Sequence, residues 1–222
     1  MCVVALGQGS QRATGVTLRP THFRLVAWVW AFMVGVGFWL LARFEFTPGR
    51  EAPAVGRLAV QRTPGSEAER LTLTMFAHPR CPCTAASLRE LERLLAQNRE
   101  KLDAVVWFYQ PLHPSAGWES SPLWKAASEI PGLVVRADPE GLEARKFGAG
   151  TSGQVVLCDA QGRVLFQGGI TVSRGHAGSS PGSRAIESAL RGGGAAVVPT
   201  RVFGCPILTP DRASLNTDDQ KL

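Results

Sequence analysis

Acidic residues are missing from the first 44 positions, where Arg12, Arg19 and Arg24 all precede Glu45, the first carboxylate. Those arginines supply half of the formal net charge of +6, and from position 71 onward charges of the two signs nearly balance. No basic stripe with base-reading aromatic or polar residues beside it occurs, which excludes a nucleic-acid partner. No internal repeat is visible. Charge is also missing from 25–42, LVAWVWAFMVGVGFWLLA, which Arg24 and Arg43 close at either end. At about 1.5 Å per residue this run spans roughly 27 Å, and Phe23 and Phe44 extend it toward the ~30 Å hydrocarbon layer of a bilayer. It has no polar face, which argues against a core helix of a soluble domain. No small-x-small cleavage site follows it, so it reads as an uncleaved transmembrane anchor.

What is present gives the anchor a direction. Three arginines and no acid precede the helix, whereas Arg43, Arg50 and Arg57 mix with Glu45 and Glu51 after it. Positive-inside counting puts residues 1–24 in the cytoplasm and the rest of the chain outside, in a periplasmic or extracellular space, with membrane lipid as one partner. Disulfides form and persist there. Of five cysteines, Cys2 lies on the wrong side to pair, leaving Cys81, Cys83, Cys158 and Cys205.

Residues 43–70, rich in Pro, Gly, Ala and charge, read as a flexible linker. A folded domain is expected over 71–191 and a tail over 192–222. Leu71, Leu73 and Met75 alternate with threonines as in a strand. Leu88, Leu91, Leu94, Leu95 and Leu102 recur at helical spacing. The run 104–109 (AVVWFY) suits a central strand. Ser121-Pro122 starts a helix and Ile130-Pro131-Gly132 stops it. A short strand over 133–137 precedes a helix opened by Asp138-Pro139 and closed by Gly148. Strands over 154–159 and 164–167 form a hairpin through Ala-Gln-Gly-Arg. A Gly/Ser-rich loop then leads to a last helix over 183–191. Strands alternating with helices predict an α/β fold, with a mostly parallel central sheet, helices on both faces and a closing antiparallel hairpin.

The chemistry centres on Cys81-Pro82-Cys83, between the first strand and the first helix of the domain. Thiolate is the nucleophilic form, and a helix N-terminus stabilises it. Pro82 suits the first helical position and would make Cys81 the cap, with His78 and Arg80 near enough in sequence to stabilise its charge. Cys81 is the expected nucleophile. A Cys81–Cys83 disulfide closes a small ring, departs from relaxed geometry and is easily reduced; Cys81 or Cys83 pairing with Cys205 is the other design. Gly192, Gly193 and Gly194 would let a tail bearing Cys205 cross the domain. Cys158, alternating in an apolar strand, reads as core. Arg174 and His176 sit in the Gly/Ser loop and read as surface residues, Trp107 and Trp124 as packing, and Trp118 as a loop residue.

The strand over 71–77 running into His-Pro-Arg-Cys-Pro-Cys resembles the strand, loop and dicysteine of the thioredoxin superfamily, more closely its membrane-tethered TlpA-like members. Phe147-Gly148, the strand over 154–158 and Asp159-Ala160-Gln161-Gly162 are similar to the family's second signature, and 121–137 resembles the extra unit of the TlpA type. The Cys-Pro-Cys and the stretch from Gly168 to His176 also resemble a bacterial group labelled RedB. Two departures stand out. One residue separates the cysteines instead of two, and Thr151-Ser152-Gly153-Gln154 stands where the family has a cis-proline.

The resemblance implies a membrane-anchored, extracytoplasmic thiol–disulfide oxidoreductase. Cys81 and Cys83 would be its catalytic residues, with no cofactor and a protein thiol or disulfide as substrate or redox partner; the Gly-Cys-Pro turn on the tail, outside the resemblance, adds Cys205 to the catalytic set. Two alternatives stay open: a copper-binding chaperone that uses Cys81, Cys83 and a loop histidine such as His176, and a non-catalytic interaction module.

Overall fold

The structure, a computed structural model, describes residues 20–50, 70–193 and 199–208. Cys2, most of the expected cytoplasmic segment, most of the linker, Gly194 and the end of the tail lie outside the described residues. The chain divides into two compact units, one up to Arg43 and one from Phe44 onward. In the first, helix α1 (Pro20–Glu45) extends three to five residues beyond each end of the uncharged run. Its apolar side chains are exposed along its length, and over 25 residues it is long and apolar enough to cross a membrane. The Arg43 guanidinium lies 5.5 Å over the ring of Trp39.

The second unit is built on five strands: β1 (Leu71–Ala77), β2 (Leu102–Gln110), β3 (Leu133–Pro139), β4 (Gln154–Cys158) and β5 (Val164–Gly169). Their spatial order is β3-β2-β1-β4-β5. β2 is parallel to both β1 and β3, while β4 is antiparallel to both β1 and β5. The sheet is mixed, with four of its five strands running the same way: the connection through α4 (Leu142–Lys146) delivers β4 beside β1 in the reverse direction, so β4 is antiparallel to β1 and to its hairpin partner β5. The unit of α3 (Pro122–Ser128) and β3 supplies the edge strand beside β2.

Strand alternation sends Leu73, Met75 and Ala77 to one face, with Ala104, Val106 and Phe108 of β2. Three helices cover that face: α2 (Thr84–Gln97) through Leu88, Leu91, Leu94 and Leu95, α3 through Ala127, and α5 (Pro181–Leu190) through Ile186 and Leu190. Arg93 of α2 reaches Glu187 of α5 at 2.8 Å, joining the two across the surface. On the other face Phe76, Tyr109, Val156 and Cys158 meet Ala144 of α4, Phe147, Trp118 of the 111–120 loop, and Ile207 near the chain's end.

Boundaries moved where a side chain acts beyond its own element. Leu102 opens β2 instead of extending α2. Asp138-Pro139 ends β3, and proline is tolerated there because β3 is an edge strand. Asp138 still serves α4: its buried carboxylate accepts from the amides of Glu143 (2.8 Å) and Ala144 (3.0 Å). Ser121 caps α3 as its sequence predicts, accepting from the Trp124 amide at 3.2 Å. α5 begins at Pro181, with Ser180 and Ser183 in a reciprocal capping box.

Candidate functional site

β1 ends at Ala77 and the chain turns through His78 to Cys83 before α2 begins. Helix α2 starts at Thr84 with Cys83 as its cap residue, two positions later than Pro82 at the first helical position would give. Cys81, Pro82 and Cys83 instead form a tight lead-in: their carbonyls accept from the amides of Thr84 (3.1 Å), Ala85 (3.3 Å) and Ala86 (3.2 Å). This i to i+3 pattern is the 3₁₀ winding common at helix ends. It faces the Cys81 sulfur toward the first helical residue, Thr84, whose amide and hydroxyl both hydrogen-bond to it.

The C-terminal stretch completes the site. Residues 199–208, expected as part of a flexible arm, pack onto the domain, with Val202, Phe203 and Ile207 buried. The stretch starts across the end of β5, where the Thr200 hydroxyl donates to the Gly169 carbonyl at 2.8 Å. It then pairs antiparallel with the loop before β4. The Ser152 amide donates to the Cys205 carbonyl (2.8 Å), Thr151 bridges Pro206, and the Ile207 amide donates to the Gly150 carbonyl (3.1 Å). Gly204 is required by this approach, since a Cβ there would lie 1.9 Å from the Ser152 carbonyl oxygen. Arg174 fastens the same turn by donating to the Gly204 carbonyl at 2.8 Å and to the Thr47 carbonyl at 3.2 Å.

The result is that the Cys205 amide donates to the Cys81 sulfur at 3.4 Å. No swing through Gly192 to Gly194 is needed to bring the two residues together. Cys81 is only 1% exposed, beneath this stretch, while Cys83 and Cys205 are half-buried. All three are free thiols, as is Cys158.

Electrostatics separates them. Burial pushes the Cys81 thiol up, but hydrogen bonds from Thr84 and Cys205 outweigh it and hold the group below the ordinary thiol value. Cys205 goes the other way, pushed up to about 12 by burial, then by its hydrogen bond to Cys81 and the negative charge there, with Arg174 acting against them. Burial and the neighbouring Asp159 push Cys158 up to about 12 as well, which suits its place in the core. Of the pair, Cys81 is therefore the first to ionise, while Cys205 holds its proton.

His78 and Arg80 play a different part from the expected one. Arg80 lies 4.6 Å over the face of Trp118 and donates to the Ser115 hydroxyl. His78 stacks on Tyr109 at 5.8 Å and meets Trp118 edge-on at 5.5 Å, while its Nδ1 accepts from the Arg80 amide at 3.2 Å. Trp118 is 3% exposed and donates to the Tyr109 carbonyl at 2.7 Å. It is a loop residue whose buried ring walls the site, and the stabilisation of Cys81 comes from Thr84 and Cys205. Ser152, which no motif in the sequence marks, is fully buried and accepts from the His78 amide at 2.8 Å.

His176 is held by its own loop, with Nδ1 2.9 Å from the Ser173 hydroxyl and 2.8 Å from the Arg174 carbonyl. Among the described residues no group of three or more His, Cys, Asp or Glu side chains is arranged to hold a metal ion.

No protein-family model matches the chain, and no curated protein matches it either. Solved structures do. An uncharacterized conserved protein from Geobacillus kaustophilus is 18% identical, with a TM-score of 0.55 over 74% of this chain and 93% of that one. A hypothetical protein from Sinorhizobium meliloti 1021 is 17% identical, with a TM-score of 0.51 over 63% and 80%. A putative thiol:disulfide interchange protein DsbE from Chlorobium tepidum is 20% identical, with a TM-score of 0.40 over 65% and 99%. The class is thus an α/β protein with an N-terminal apolar helix. The strand order β3-β2-β1-β4-β5, with β4 reversed and the cysteine turn between β1 and α2, is the arrangement expected of a thioredoxin-like fold.

Proposed function

We propose that the chain is a membrane-anchored, extracytoplasmic thiol–disulfide oxidoreductase that works through Cys81 and Cys205, with Cys83 beside them, on protein thiols or disulfides. The observation that carries this reading is the seating of Cys205 against the Cys81 sulfur by backbone pairing with 150–152.

In the reducing direction the Cys81 thiolate attacks one sulfur of a substrate disulfide. A mixed disulfide forms and the substrate's other sulfur leaves as a thiolate that takes up a proton. Cys81 then no longer carries charge, so two of the causes that raise Cys205, its bond to the thiolate and the like charge, disappear, while Arg174 remains. Cys205 loses its proton and attacks the Cys81 sulfur, forming the Cys81–Cys205 disulfide and releasing the second substrate thiol. Two electrons pass from the cysteine pair to the substrate, and a dithiol reductant restores the pair. Run backward, the oxidised pair takes two electrons from a protein dithiol.

The helix α1 would hold this domain on the outer side of a membrane, with 1–24 in the cytoplasm and 43–70 as the tether. Turnover of a peptide with one internal disulfide, driven by dithiothreitol, tests the activity. Cys81→Ser is expected to abolish it, and full activity in that variant would refute the assignment. A reporter fused after Leu222 that is active only in the cytoplasm would refute the orientation.

A further inference from the structure

Thr84 opens α2 and Ser152 stands in the loop before β4, yet both are fully buried and their hydroxyl oxygens are 2.6 Å apart. Either oxygen could donate to the other, so the direction is set by what each meets next. Ser152 Oγ accepts from the His78 amide at 2.8 Å, a group that can only donate. A thiolate can only accept, so the Thr84 hydroxyl, which hydrogen-bonds to the Cys81 sulfur, gives its proton there, and the proton between Thr84 and Ser152 must come from Ser152. The chain of donors then runs one way: His78 N–H, Ser152 O–H, Thr84 O–H, Cys81 sulfur.

We propose that Ser152 is a positioning residue for the Cys81 thiolate, acting through Thr84. Hydrogen bonds in a row polarise one another, and in a buried site the effect is not diluted by water. An accepting hydroxyl left to itself could turn its proton elsewhere; the Thr84 hydroxyl, already accepting from Ser152, keeps its proton on the sulfur. Ser152 serves the second cysteine as well, because its amide donates to the Cys205 carbonyl at 2.8 Å. A proline has neither the N–H nor the hydroxyl, so a proline in this loop could do neither job. Ser152 thus orients both thiols of the pair from one position.

The inference rests on Cys81 being the nucleophile. The ionisable group facing its sulfur is Cys205, on which Cys83 and Arg174 act in turn; His78 and Arg80 lie against Tyr109 and Trp118. None of these is altered in the test, which follows iodoacetamide alkylation of Cys81 in the reduced full chain against pH, located by peptide mapping. Ser152→Ala and Thr84→Val are each expected to raise the midpoint, by about one pH unit, and Thr84→Ser to keep it. The double variant is expected to move no further than Thr84→Val alone, which distinguishes action through Thr84 from independent packing effects. An unmoved midpoint in Ser152→Ala, or additive shifts, overturns the proposal and leaves the function intact. Should Ser152→Ala not fold, an unmoved midpoint in Thr84→Val overturns it equally. A Cys81 without a depressed midpoint in the unaltered chain overturns the function too.

Discussion

The Cys205 amide donates to the Cys81 sulfur at 3.4 Å although 124 positions separate the two residues. Loop-closure entropy grows only as about 1.5 RT ln n, so the separation is a small obstacle once the domain has folded. Antiparallel pairing with 150–152 and the buried side chains of Val202, Phe203 and Ile207 hold the contact in place.

The first expected outcome follows from that contact. Oxidised protein contains a Cys81–Cys205 disulfide, found by peptide mapping under non-reducing conditions. Cys205→Ser slows turnover of a disulfide peptide by on the order of tenfold or more, since a resolving thiol from solution lacks the effective concentration of an intramolecular one. Unchanged turnover, together with an oxidised wild type bridged only between Cys81 and Cys83, would leave Cys205 a bystander.

Alkylation against pH separates the thiols. Cys81, held below the ordinary thiol value, has its midpoint below that of an unfolded cysteine peptide. It loses reactivity as the pH falls through that lowered value, because the thiolate is then protonated. Cys158 and Cys205, both pushed up to about 12, stay protonated through neutral and mildly alkaline pH and react last. Cys205 modified ahead of Cys81 at pH 8 would reverse the assignment of thiolate and thiol.

Elements whose signals are local were legible in the sequence. β1 occupies 71–77 as its alternation predicts, and Ser121-Pro122 caps and opens α3. Ser180-Pro181 carries the same signature at α5 and could have been read the same way. The cysteine turn was legible because it lies between a strand and a helix in sequence. What the sequence hid is long-range. Ser152 and Trp118 reach the site only once β4 lies beside β1 and the 111–120 loop folds over Tyr109. The direction of β4 was hidden too, because an apolar strand reads alike in a parallel or an antiparallel pairing.

Both side-chain polar atoms of Gln154 are buried without a hydrogen-bond partner, beside Phe76 and Gly169 in the sheet. A buried polar group left unpaired costs about 1–3 kcal/mol. Gln154→Met, similar in volume and apolar, is therefore expected to raise the free energy of unfolding by about 1 kcal/mol or more in urea titrations. A destabilised variant would show that the amide is paired in solution.

The last expectation concerns what covers Cys81. Cys81, whose sulfur must attack an outside disulfide, is 1% exposed, so the covering stretch has to yield during turnover. Gly204→Ala tests this directly. The added Cβ would sit 1.9 Å from the Ser152 carbonyl oxygen, and backbone cannot turn aside as a side chain can, so 204–206 must lift. The lift breaks the bond from the Ser152 amide to the Cys205 carbonyl and the one from the Cys205 amide to the Cys81 sulfur. Iodoacetamide should then reach Cys81 faster at any pH above its midpoint, while internal disulfide formation slows. Stability should fall by about 1–3 kcal/mol, as for other overpacked sites. Gly192→Ala is the control: its φ of +81° makes alanine strained there, but no neighbour lies within 4 Å of the new Cβ, and the seat of Cys205 is untouched. If Gly204→Ala leaves Cys81 as protected as in the wild type, 204–206 is not its cover, and substrate must enter by another side of the site.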